Sequence, residues 1–286
     1  GLAIRAQDTS DVAAMAFDRM LFDDHPYGRP SDGFVETIQS ITGKDMEEFH
    51  RVHFGPRGMV IAIVGAIEPE KAVDEIECVL GDWQVPGQAS APALPPHKPV
   101  KKTVRHHHAL PGKSQSDLVI GTVGPSRKDP EYLAASLGNS VLGQCGMMGR
   151  IGDVVREKAG LAYYAGSSLS AGMGPGSWEV NAGVNPSNVN KAAELIVSEL
   201  KRFVEDGVTA DELADSQTNY IGRLPLSLES NGGVVGALLN IERHNLGLDY
   251  YLRYADLVRH VTRENVLGAA RRFIDTEKLA IAVAGA

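Results

Sequence analysis

One segment of this chain is written twice, 220 residues apart, and that repetition limits the possible folds more than any other feature. Ile41-Thr42 opens a helical stretch running to about Phe54, and Met59–Ala66 then reads Met-Val-Ile-Ala-Ile-Val-Gly-Ala. Val261-Thr262 opens a second such stretch running to Phe273, and Leu279–Ala286 then reads Leu-Ala-Ile-Ala-Val-Ala-Gly-Ala. In both copies Thr is a candidate helix N-cap, Asp45 or Asn265 stands three residues on, and an apolar strand closes on Gly-Ala. A fixed offset of this kind means that one supersecondary unit is used twice.

Upstream of the first copy, Asp11–Phe22 predicts a helix with Val12, Met15, Ala16 and Met20 on its apolar face. It is broken at His25-Pro26-Tyr27-Gly28. A looser counterpart runs from Val234 to Arg243 and ends at His244-Asn245-Leu246-Gly247. Between the copies, Gln84–Pro99 holds five prolines among Ala, Ser and Gly, which suits an interdomain linker. The division expected is residues 1–83 for part of a first domain, 84–99 for the linker and 100–286 for a second, homologous domain. The chain opens on Gly1 without an initiator Met, and the first copy is shorter than the second. The expectation is therefore one and a half domains, with the front of the first copy preceding Gly1.

Within the longer copy, strands are predicted at Lys101–Ala109, Ser116–Gly124, Leu161–Ala171 and Ser177–Asn185, the last two joined by Gly172–Gly176. Helices are predicted from Pro130 to Leu142, Ile151 to Lys158, Asn188 to Glu205 and Thr209 to Gly222. Strands come in pairs and helices in runs, so the fold class expected is α+β.

Composition removes several functions. A net charge of -8 opposes nucleic-acid binding, and no apolar run is long enough to span a bilayer. Only Cys78 and Cys145 occur, too few for a disulfide framework or a Cys-based metal site. His106-His107-His108 lies on a predicted strand, where neighbours face opposite ways and do not converge on a metal. Gly143, Gly146 and Gly149 lack the context of a phosphate loop and read as a tight connection. His25, His50 and His53 read as structural or exposed, and the compartment is not legible.

The run from Gly143 through Arg150, Arg156-Glu157-Lys158 and Gly160-Leu161-Ala162-Tyr163 resembles the second-domain signature of the pitrilysin/insulinase zinc peptidases, a family that includes processing peptidases. His25-Pro26-Tyr27-Gly28, Gly33, Ile41-Thr42 and Val64-Gly65 resemble the closing half of that family's first domain. The resemblance implies two homologous α+β domains around a substrate chamber, with zinc on an inverted His-x-x-Glu-His helix of the first. None of the nine His here has that spacing, so the resemblance assigns zinc to a segment before Gly1 and none to this chain. It implies that Arg156 and Tyr163 reach the substrate backbone near the scissile bond, where both can donate hydrogen bonds to a carbonyl gaining negative charge. On the residues alone, Arg156 reads as a solvated charge at a helix C-terminus, and of the neighbours Tyr163 and Tyr164 one would be core and one surface. The implied partners are a peptide or unfolded protein substrate, and either the chain's own front half or a catalytic homologous subunit. The implied function is the non-zinc portion of a zinc-dependent peptidase, inactive alone. The alternative is a non-catalytic homologue that acts as a partner or substrate-binding subunit.

Overall fold

The computed structural model describes residues 1–144 and 149–286, so Cys145 and Gly146 lie outside the described residues. Its longer helices are α1 (Thr9–Phe22), α2 (Gly43–His53) and α3 (Pro69–Leu80). Strands β1 (Val104–Ala109) and β2 (Ser116–Val123) precede α4 (Tyr132–Asn139). Strands β3 (Ala162–Ala171) and β4 (Pro175–Val184) follow, then α5 (Val189–Asp206) and α6 (Ala210–Ser227). The chain closes with α7 (Asn231–His244), α8 (Tyr250–Arg259), α9 (Arg263–Phe273) and β5 (Ala280–Gly285).

Residues 1–34, 94–220 and 256–286 form one compact unit, organised by a five-stranded sheet in the order β1-β5-β2-β4-β3. The last strand is inserted at the centre: β5 runs parallel to β1 and antiparallel to β2. All six residues of β5 are buried, as expected of a strand covered on both faces. Helices α4, α5 and α9 pack with one another, Val266, Ala269 and Ala270 supplying the buried stripe of α9. The ring of Trp178 on β4 stands edge-on to Phe203 of α5, and its indole N–H donates to Asn139 of α4 at 2.9 Å. That bond satisfies a donor that burial would otherwise leave at a cost of 1–3 kcal/mol, roughly.

Helix α1 lies on the same sheet, against β5 and β2. Its predicted apolar face is corrected. Val12 is buried as expected, but Ala13, Phe17 and Leu21, four residues apart, carry the rest of the buried line, and Met15, Ala16 and Met20 pack against it only partly buried. Asp8 starts this helix by accepting hydrogen bonds from the amides of Ser10 and Asp11.

The second compact unit comprises residues 35–93 and 221–255. Here α2 starts from a complete Thr42–Asp45 capping box, the same device with which Thr262–Asn265 starts α9. The predicted strand at Met59–Ala66 does not form. Among the described residues no strand is hydrogen-bonded to it, and a strand exists only as part of a ladder. Within the proline-rich stretch, Gln88 is buried: its amide nitrogen donates to the carbonyls of Gly55 and Arg57 and its side-chain oxygen accepts from the Arg57 amide. None of the helices described is long and apolar enough to cross a membrane.

Candidate functional site

The segment bearing Arg156 and Tyr163 is built by local backbone geometry. Gly152–Lys158 forms a widened helical turn with π-type bonding, a geometry the sequence did not announce. It ends where the amides of Gly160 and Leu161 donate to the carbonyls of Arg156 and Val155, both at 3.0 Å. Gly160 has φ +63, the left-handed conformation that closes a helix and that glycine adopts without strain. Arg156, in the last turn, keeps 35% of its side chain exposed and lies 3.5 Å from Glu157.

Strand β3 begins two residues after Gly160 and is an edge strand of the sheet. Ala162 pairs with Val184 and Tyr164 with Gly183, so Tyr163 is the additional residue of a β-bulge. The expectation that Tyr163 and Tyr164 divide between core and surface is corrected, because the bulge breaks the alternation. Tyr163 is 60% exposed and Tyr164 39%. The two rings nonetheless differ in surroundings. The Tyr164 hydroxyl donates to the Asp117 carboxylate on β2, and its ring passes over Gly183, where an added Cβ would lie 2.4 Å from a ring carbon. Asp117 is 1% exposed and also accepts hydrogen bonds from Thr9 and from Gln115, at 3.0 Å to one oxygen. Burial of the hydroxyl, with the Asp117 carboxylate beside it, raises the Tyr164 pKa above the usual phenol range.

Tyr164 is therefore committed to structure, while Tyr163 is exposed and Arg156 is half-buried beside Glu157. Tyr164→Phe is expected to cost about 1.5 kcal/mol, since the bond it deletes ends on a carboxylate. A fall of about 4 °C in thermal midpoint is the readout, and an unchanged midpoint would deny the bond that role.

Arg150, which opens the segment, is a structural anchor. Its guanidinium donates to both oxygens of Glu212 at 2.7 and 2.6 Å and lies 3.7 Å from Glu199. Gly143 and Gly149 pack back to back. A Cβ on Gly149 would come within 2.5 Å of the Gly143 Cα, and one on Gly143 within 2.6 Å of the Ser167 amide. Close approach accounts for both glycines without a phosphate.

Among the described residues, no group of three or more His, Cys, Asp or Glu is placed to hold a metal ion. Helix α4 presents Ala134, Ala135 and Leu137 to the core and carries neither His nor Cys. These residues do not fit zinc. His106 and His108 share a face of β1 with ring centroids 6.4 Å apart. His25 is buried, accepts from the Tyr27 amide and packs against Phe22 and Tyr27, while His50 and His53 are exposed beside Phe54 and Phe49.

A family profile described as the peptidase M16 inactive domain matches residues 40–220. The chain belongs to the M16 peptidase family. Among its relatives, an uncharacterized zinc protease of Streptomyces coelicolor is 30% identical over 243 residues, covering 83% of this chain and 52% of the relative. One from Mycobacterium leprae is 27% identical over 281 residues, covering 96% of this chain and 61% of the relative. The chain thus spans between half and two thirds of the length of these curated relatives. A crystal structure of a peptidase M16 inactive domain from Pseudomonas fluorescens superposes with a TM-score of 0.88 at 27% identity, covering 100% of this chain and 67% of that one. A Helicobacter pylori protease shares the fold at 18% identity and a TM-score of 0.85, covering 99% of this chain and 69% of that one.

Proposed function

We propose that this M16 inactive-domain chain supplies the non-zinc half of the substrate chamber of a zinc-dependent peptidase, with Arg156 and Tyr163 donating hydrogen bonds to the substrate backbone. The observation that carries this reading is the bulge, which leaves the Tyr163 phenol exposed while its neighbour is held by Asp117. A guanidinium and a phenol on adjoining elements suit a carbonyl oxygen that becomes negative in a tetrahedral state. The relatives named zinc proteases support a zinc-bearing partner segment or subunit. No group among the described residues fits zinc, so in this reading the chain orients substrate and the zinc-bearing partner activates water.

The test pairs the chain with a zinc-bearing M16 segment or subunit and follows cleavage of a fluorogenic peptide. Arg156→Ala and Tyr163→Phe are each expected to lower kcat about tenfold, roughly 1.4 kcal/mol of transition-state stabilisation, with thermal midpoints unchanged. Unchanged turnover would remove both from the site. Chelator-sensitive hydrolysis by the pure chain would overturn the division of labour itself. A second reading, a non-catalytic homologue that binds peptide for a partner, draws on the same lack of a metal-binding group among the described residues. It predicts that Arg156→Ala weakens peptide binding while no pairing yields turnover.

A further inference from the structure

The basic residues of this acidic chain gather where its sheet is unpaired. Residues 97–113 hold five of the 28 Lys and Arg, four of the nine His and none of the 36 Asp and Glu. That stretch carries β1, an outer strand of the sheet, whose residues 105–109 are all exposed. Lys98 lies 3.9 Å from Asp23 and 3.6 Å from Asp24. Lys101, Lys102 and Lys113 have no carboxylate beside them among the described residues, and Arg105 donates to the uncharged Asn190 at 2.7 Å. Cations left without acids, in a chain where acids are in excess, make a local positive potential.

The backbone of β1 is equally one-sided. The Val104 and Leu110 amides donate to the carbonyls of Leu279 and Gly285 at 2.9 and 2.7 Å, on the β5 side. In a parallel ladder alternate residues turn both N–H and C=O to the same neighbour. The N–H and C=O groups of Arg105, His107 and Ala109 therefore point away from β5, and among the described residues no strand meets them. Like charges along an edge oppose its pairing with a second copy of itself, which leaves it open to a strand of opposite charge.

We propose that β1 docks an extended acidic segment of another protein, which joins the five-stranded sheet as an added outer strand. Its amides and carbonyls complete the ladder at Arg105, His107 and Ala109, and its Asp or Glu side chains lie against Lys101, Lys102, Arg105 and the histidines. A nucleic acid matches less of this edge, because phosphates accept hydrogen bonds and leave the outward carbonyls of β1 without donors. The surface is separate from Arg156 and Tyr163. Strands β1 and β3 are the opposite edges of the sheet, roughly 19 Å apart at the usual strand spacing. The docking edge stands whether or not those two residues act on a peptide.

The test titrates the full chain, at low ionic strength, into a fluorescein-labelled peptide of alternating Glu and Val and follows anisotropy. Binding is expected to weaken about tenfold when Gln replaces Glu in the peptide, and about tenfold when the chain carries Lys101→Glu with Lys102→Glu. Both lysines are exposed, so the thermal midpoint of that variant is expected to stay unchanged. A peptide N-methylated at alternate residues keeps its charge, cannot complete the ladder and is expected not to bind. With the unmodified peptide bound, the amides of Arg105, His107 and Ala109 are expected to exchange about tenfold more slowly or slower still. No binding of the Glu peptide overturns the proposal, as does equal binding of the Gln or N-methylated peptide or indifference to the lysine substitutions. A single-stranded oligonucleotide of equal charge that binds more tightly than the peptide overturns it in favour of a nucleic-acid surface.

Discussion

Arg150→Ala is expected to lower the unfolding free energy by about 2–3 kcal/mol, since it removes one partner from a half-buried ion pair that water still screens in part. Arg150 keeps 13% of its side chain exposed, Glu199 4% and Glu212 31%. The substitution would leave Glu212 without its two-pronged donor, and Glu199 with Arg202 at 2.8 Å as its remaining cation. Burial alone would raise the Glu212 pKa, yet the Arg150 bond and the Thr209 amide outweigh it and hold the carboxyl down to about 2. A folded pKa below the ordinary 4.5 means that the pair's stabilisation is present above pH 4.5 and is lost as pH falls toward 2. Urea midpoints measured from pH 7 to pH 3, at a constant m value, check both parts. The wild type is expected to lose stability along this limb, and Arg150→Ala to start lower and lose less. Equal midpoints at pH 7 would mean that Arg150 does not anchor this segment to α5 and α6.

The sequence was most legible where structure is local. The Thr42 and Thr262 caps, the lengths of α2 and α9 and the apolar run of β5 all follow from residues within a few positions of one another. The strand expected at Met59–Ala66 fails for a reason local pattern cannot see: alternation and apolarity say that a segment would pair, not that a neighbour is present. The face of α1 was misread similarly. The helix is apolar over much of its circumference, so the sheet strands beyond residue 100, and not its own periodicity, select Phe17 and Leu21. The chemistry divides in the same way. Arg156 and Tyr163 stand out through the motif that contains them, but the bulge that frees Tyr163 depends on pairing with β4. Tyr164 finds Asp117 forty-seven positions away and Arg150 finds Glu212 sixty-two away, separations at which no motif announces a partner.

Asp18→Asn carries the other large expected effect, opposite in sign and dependent on pH. Asp18 sits on α1 where that helix meets the sheet, and its pKa is raised to about 7, first by burial and then by the charge of Glu179 on β4. Glu179 itself accepts hydrogen bonds from Ser168 and Asn181, both at 3.3 Å. A folded pKa above the ordinary 3.8 means that the folded chain binds this proton more tightly than the unfolded one. Stability therefore falls as pH rises from about 4 to about 7 and is level beyond. The full shift corresponds to about 4 kcal/mol, and water at the partly open site reduces that to about 2. Asparagine has the shape of the protonated acid and never ionises. At pH 8 the variant is expected to melt about 5 °C above the wild type, and at pH 4 within about 1 °C of it. A gain of the same size at both values would assign the effect to packing or helix propensity. No gain at pH 8 would show that α1 accommodates an ionised Asp18 beside Glu179.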